Sequence, residues 1–358
     1  MTQDYPSLQG MVCPVPLTHN ERIVLGHGSG GKLMHDLITR HFLPYFDNPI
    51  LQAGDDAGLL QFDFDGKNTL RLSFSTDSHV VTPLFFPGGD IGRLAVCGTV
   101  NDISMLGSQP LYLTAGFILE EGLEISVIER VLASMQAAAT EAGVQIVAGD
   151  TKVVQKGKAD QLYINTSGVG VLYPGVYISG ANAQPGDIVI LSGTIGDHGI
   201  AVLEARGELG FTSGVKSDVA PLNKIITDLL ESGCRVHVLR DPTRGGLATT
   251  LNEIAHQSRI CVFLDETSIP IKPEVMAACE MLGFDPLFIA NEGKLVVIVH
   301  PDDAGRALEV MRANPYGEAT RIIGRVQPEP DGRVLMKTVI GTTRVVETLS
   351  GELLPRIC

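Results

Sequence analysis

Leu70-Arg71-Leu72-Ser73-Phe74-Ser75-Thr76-Asp77 alternates apolar with polar residues. That alternation is the pattern of a half-buried strand, and it delivers Asp77 at the strand's end. Pro83, Pro87 and Gly88-Gly89 then turn the chain into a helix-like run from Ile91 to Leu106, which carries Asn101 and Asp102 on its later turns. Working outward, Gly54-Asp55-Asp56-Ala57-Gly58 precedes the apolar Leu59-Leu60 as a turn into a strand. Ser126-Val127-Ile128-Glu129 has the form of a capping box, and Ile128, Val131, Leu132, Met135 and Ala139 follow at helical spacing up to Gly143. The buried strand Val144 to Ala148 is expected to end in Gly149-Asp150-Thr151-Lys152.

Acids from separate segments, placed beside glycine at strand ends, repel one another unless a cation sits among them. Mg²⁺ held by a few carboxylates plus nucleotide phosphates is the usual occupant. The pattern points to a magnesium–ATP site with Asp55, Asp56, Asp77, Asp102 and Asp150 on the metal. Gly26-His27-Gly28-Ser29-Gly30-Gly31-Lys32 nearly matches a phosphate-binding P-loop, but Leu33 stands where the magnesium-binding hydroxyl belongs. The expectation is instead a mobile flap in which the backbone of Gly28, Ser29, Gly30 and Gly31, with Lys32, covers phosphates.

The 358 residues exceed one ordinary domain, and 44% hydrophobic content with 19% charged residues is globular. Forty glycines and no tryptophan suit a tightly turned α/β or α+β enzyme. A formal net charge of −14 argues against nucleic acid or an anionic membrane as partner. No apolar run approaches the ~18 residues of a membrane helix, and the first 25 residues lack the pattern of a signal peptide. Cysteines 13, 97, 234, 261, 279 and 358 form no C-x-x-C pair, so reduced thiols in a cytoplasmic protein are expected.

Pro174-Gly175, Ser179-Gly180 and Gln184-Pro185-Gly186 mark a boundary. The reading is an arm and Gly-rich loop over 1–43, an ATP-binding domain over 44–172, a second domain over 173–345 and a flexible tail over 346–358. In the second domain His198 sits in a Gly-rich turn as a local hydrogen-bonding group. Asp241-Pro242-Thr243-Arg244-Gly245-Gly246 opens a helix with an anion-friendly end. Cys358 on a Gly- and Pro-bearing tail is a thiol that can be loaded at one active site and delivered to another; a prenylation box would need the Cys four from the end.

Taken together, these motifs resemble the HypE family of hydrogenase maturation factors, from about His27 to Cys358. The resemblance rests on His27 to Gly31, Ser75 to Gly92, Gly149 to Val154, Asp241 to Gly246, Asn291 to Lys294 and above all Pro355-Arg356-Ile357-Cys358. Several of these are shared with the wider superfamily of aminoimidazole ribotide synthetase, selenophosphate synthetase and thiamine monophosphate kinase. The resemblance implies a two-domain α+β fold in which the N-terminal domain forms a β-barrel shared across a homodimer, with ATP at the interface. The C-terminal domain would be an α/β sandwich. It implies a carbamoyl dehydratase, a lyase that receives a carbamoyl group on Cys358 from the carbamoyltransferase HypF, dehydrates it with ATP to a thiocyanate, and passes cyanide to iron on HypC–HypD. Lys152 and Glu292 become the candidate bases, and Asn101 joins Asp77, Asp102 and Asp150 around the nucleotide. The alternative within the superfamily is a free-substrate enzyme of the selenophosphate synthetase kind, which would not need Cys358.

Overall fold

The computed structural model describes residues 22–46, 48–63, 69–207, 213–349, 354 and 357–358. Residues 1–21 of the expected arm and Gly-rich loop, with Cys13, and Pro355-Arg356 of the tail lie outside the described residues.

The first sheet is built from β1 (Gly58–Asp63), β2 (Thr69–His79), β3 (Ser108–Glu120), β4 (Gln145–Val154) and β5 (Leu162–Leu172), in the order β1-β2-β5-β3-β4. All neighbours are antiparallel except β3 and β4. Two helices, α1 (Ile91–Met105) and α2 (Ile125–Ala142), stack behind one face. Asp90 caps α1 by accepting from the amides of Gly92 and Arg93. α2 starts without the expected capping box: Ser126 spends its hydroxyl on Glu124, the N-cap residue. Gly143 ends α2 at φ +72, a left-handed stop.

The alternation in β2 is present, but the face it buries is the polar one. Ser73 and His79 are buried and Ser75 and Asp77 are partly so, all turned toward α1, whereas Phe74 is 45% exposed on the other side. Gly98 lets α1 approach this closely, because a Cβ there would lie 2.9 Å from His79 and 3.2 Å from Asp77. The outer face carries Phe74, Tyr112 and Ile118 uncovered. Edge strand β4 is exposed along Gln145 to Val153. The expected barrel is therefore not closed within the chain, whose sheet is open, with β1 and β4 as its edges.

The second sheet has seven strands: β6 (Ile188–Leu191), β7 (Val236–Arg240), β8 (Cys261–Asp265), β9 (Val296–Val299), β10 (Arg321–Gln327), β11 (Arg333–Lys337) and β12 (Thr343–Val345). Their order is β12-β11-β8-β10-β6-β9-β7, antiparallel except at β8–β11. Val296 to Val299 are all fully buried, as expected of a strand covered on both faces. Helices α3 (Asp197–Ala205) and α4 (Gly246–Ser258) both begin at left-handed glycines, Gly196 and Gly245. They bring the α3 start and the Asp241–Gly245 loop to the side of the first sheet where Asp77 lies, and Val202, Val219, Ala290 and Ile357 complete that domain's core.

Candidate active site

Asp77 projects from the inner face of β2, 3.6 Å from His79 Nε2 and 3.8 Å from Arg244. Burial alone would raise its pKa, but the His79 and Arg244 charges more than offset that and hold it below the ordinary carboxylate range. Asp102 reaches it from α1 and accepts from the Ser75 hydroxyl at 2.7 Å. Burial, then the charges of Asp241 and Asp77, push Asp102 well above the usual range. Asp241, the residue after β7, is pushed to about 8 by burial and Asp56. Asp56 itself is raised by burial while the Arg240 guanidinium pairs with it. Asp55 is engaged elsewhere, accepting from Ser179 Oγ and the Gly180 amide.

Asp56 and Asp77 thus raise both Asp102 and Asp241, Asp241 adds to the rise at Asp102, and Asp56 Oδ2 is buried without a hydrogen bond. Among the described residues no three His, Cys, Asp or Glu converge closely enough to hold a metal by themselves. A pair or so of carboxylates with room for phosphate oxygens is what Mg²⁺ takes beside a nucleotide, so the donor set fits that ion and not an all-protein cage.

The tail enters the same site. The Cys358 main-chain oxygen accepts from the Val80 amide at 2.9 Å, and its thiol feels the charges of Arg244 and Glu292. Burial pushes the thiol above its usual range, with Arg244 opposing. Glu292 is 5% exposed with Oε1 free of partners, and burial plus Asp77, Asp241 and Asp218 push its pKa well up. Its amide donates to Asp218, which Lys294 neutralises at 3.2 Å. A cavity of about 240 Å³ opens beside the thiol, lined by Gly28, Ser29, Ser78, Arg244 and Gly245. The Gly-rich loop is seated there: the Lys32 amide donates to Leu349 O, and a Cβ on Gly31 would lie 2.3 Å from that oxygen. The Lys32 side chain is exposed.

Three sequence expectations land elsewhere. Asn101 is buried with both amide ends used, on Ala220 O and the Leu222 amide, which ties α1 to the second domain. Asp150 and Lys152 pair with each other at 2.8 Å, each 70% exposed. They are not at a strand end, because β4 continues to Val154. Their register shows why they miss the other acids: Asp77 shares its cross-strand row with Thr166, Ala115 and Gly149, whereas Asp150 shares that of Gly116, Asn165 and Ser78. Successive rows point to opposite faces, so Asp150 and Lys152 lie on the outer face and Glu292 on the inner one. Asp241 joins the acids although the sequence expectation does not include it. Its signal was present, since it ends the apolar strand Val236–Arg240 as Asp77 nearly ends β2.

The chain matches the families described as AIR synthase related protein, N-terminal domain, over residues 54–172 and C-terminal domain over 184–337. It is 52% identical over 337 residues to the carbamoyl dehydratase HypE of Cupriavidus necator, covering 94% of this chain and 95% of that one. The chain belongs to the HypE family. It is accordingly an enzyme, a carbamoyl dehydratase of hydrogenase maturation. The corresponding Escherichia coli protein is 42% identical over 336 residues, 94% of this chain and 99% of its own. A HypE structure in complex with ATP is similar at TM-score 0.77 and 50% identity, covering 94% of this chain and all of that one. A HypE–HypF complex gives TM-score 0.82 at 51% identity, over 87% and 99% of the two chains. A ThiL complex at 21% identity and TM-score 0.64, covering 88% and 96%, shows the fold alone. No helix among the described residues is long and apolar enough to cross a membrane.

Proposed function

We propose that this chain dehydrates a carbamoyl group carried on its own Cys358 to a thiocyanate, using ATP, as a source of cyanide for hydrogenase iron. The observation that carries the reading is Cys358 lining the cavity of about 240 Å³ together with Arg244 and the Gly28-Ser29 loop, within electrostatic reach of Glu292. The HypE–HypF complex supports HypF as carbamoyl donor, and the HypC–HypD complex is the proposed cyanide acceptor. The HypE–ATP complex supports ATP as the second substrate.

In a thiocarbamate the carbonyl oxygen is a poor leaving group. Transfer of the γ-phosphoryl group to that oxygen expels ADP and leaves an S-bound imidate phosphate. One N–H proton is lost in that step, the second leaves as the C–O bond to phosphate breaks, and S–C≡N remains. Arg244 and the amides of the 28–31 loop offset phosphate charge, work that is mostly positioning. Bound Mg²⁺, held by Asp77 and Asp102 with Asp56 and Asp241 in support, would supply the remaining neutralisation. Glu292, whose raised pKa makes it a competent base once deprotonated, lies beside the sulfur to take an N–H proton.

Lys152 cannot join this site from its own chain's outer face. We assign it to the site of a second copy, whose sheet would cover the exposed Phe74, Tyr112 and Ile118 and close the shared barrel. Asp150 travels with it.

The test is intact and C-terminal peptide mass after incubation with HypF, carbamoyl phosphate and its cosubstrates, with and without MgATP. A carbamoyl group on Cys358 that converts to a cyano group in MgATP is expected, and Cys358→Ala should accept nothing while still binding ATP. An unmodified Cys358 beside steady ATP hydrolysis would replace this reading with a free-substrate enzyme of the superfamily.

A further inference from the structure

One buried side chain that the dehydration chemistry leaves idle touches the tail. His198, the second residue of α3, is fully buried, with Nε2 2.7 Å from the Ile357 carbonyl oxygen and Nδ1 2.8 Å from Ser217 Oγ. A carbonyl only accepts, so Nε2 carries the hydrogen and Nδ1 of the neutral ring accepts from the Ser217 hydroxyl. Ser217 Oγ in turn accepts from the Val219 amide at 3.2 Å, which fixes the hydroxyl's direction. Burial lowers the His198 pKa, in keeping with the neutral ring. Phe86 closes the remaining side edge-on, with centroids 5.4 Å apart. The next residue, Gly199, packs closely on Ile289, and a Cβ there would also lie 3.2 Å from Leu354 Cδ1 of the tail.

We infer that His198 is a positioning residue: it grips the carbonyl that precedes Cys358 and so sets how long the thiol stays against Glu292. His198 and Ile357 are 159 positions apart, and the bond joins α3 to the tail and not to its own turn. A single neutral hydrogen bond suits the task, being strong enough to bias the tail inward and weak enough to release it.

The inference rests on the reading of Cys358 as substrate carrier, but its test needs neither ATP nor a partner protein. The measurement is iodoacetamide alkylation of Cys358 by peptide mass, with buried Cys97 and Cys279 as internal monitors of the fold. In His198→Ala the Cys358 rate should rise about tenfold, the worth of one lost hydrogen bond, with Cys97 and Cys279 unchanged. His198→Gln, which keeps an N–H donor, should restore most of the protection. If all three thiols become reactive in the Ala variant, Ser217→Ala decides instead, expected to raise the Cys358 rate alone by a few-fold. A native Cys358 rate in a folded His198→Ala, or in Ser217→Ala where that variant decides, overturns the assignment. In the loaded enzyme the His198→Ala loss should fall on the dehydration rate and not on the KM for ATP.

Discussion

Asp77 and Asp150 look alike in sequence, each near a Thr and close to an apolar strand, yet the fold treats them as opposites. Asp77 is turned onto α1 among three other carboxylates and a cationic arginine. Asp150 sits on edge strand β4, bonded to Lys152 and open to solvent. A single step of register separates the two outcomes, because the pleat alternates faces. Function follows the same division. The inner face gathers negative charge that a cation would relieve, and the outer face holds an ion pair open to solvent.

The largest effect should come from the crowded face. Asp102→Asn removes a carboxyl that burial and its neighbours already disfavour as an anion. The nucleotide-free variant should melt at or above the native temperature while ATP-dependent dehydration falls at least a hundredfold, the scale for losing one preorganised charge-stabilising group. Differential scanning fluorimetry beside the mass assay checks both halves. A variant that melts lower and keeps its activity would mean Asp102 is structural.

Next comes the division between chains. Lys152→Ala and Glu292→Gln should each be inactive in dehydration. Mixed one to one and allowed to exchange, they should recover roughly a quarter of native activity, since half of two-fold dimers are mixed and each has one intact site. No recovery, with mixed dimers verified by mass, would place Lys152 in its own chain's site.

A smaller effect is the pH dependence of stability. Asp241 titrates near 8 in the fold against about 4 when unfolded, so it stabilises only where it is protonated. Its contribution is complete below pH 4 and is lost progressively as pH rises toward 8. Asp241→Asn should remove that part of the slope, so that variant and native protein diverge in melting temperature as pH rises across this window, the variant gaining. Parallel curves would show that Asp241 is not held among like charges.

How much of this was legible can be judged residue by residue. The strand through Asp77, the helix carrying Asp102 and the stop at Gly143 follow from local periodicity, which the sequence states outright. Which face of β2 is buried does not, because it depends on α1 packing against Ser73 and Ser75, which leaves Phe74 on the exposed side. Gly149 before Asp150 suggests a strand end. Pairing with β3 carries β4 on to Val154, and that pairing is non-local. Asp241 was hidden by its neighbours, whose Arg244 and glycines advertise an anion site. Asn101 looked like a ligand for want of any sign that Ala220 and Leu222 would claim both ends of its amide. The grip of His198 on the tail lies beyond any local pattern.

The smallest effect is expected at Asp150. Asp150→Asn breaks an ion pair in which both side chains are 70% exposed. Such pairs contribute little, because water and salt screen them and two long side chains lose freedom in holding one geometry. Melting temperature should therefore be unchanged within scatter, at low salt and high salt alike. If Asp150 serves the nucleotide of a second copy, the same variant should still weaken ATP use, seen as a raised KM for ATP in an intact fold. A marked drop in melting temperature would make the pair a structural brace of β4, and the outer face would lose its claim to chemistry. Unchanged stability with unchanged kinetics would leave Lys152 alone as the group that the outer face lends across the interface.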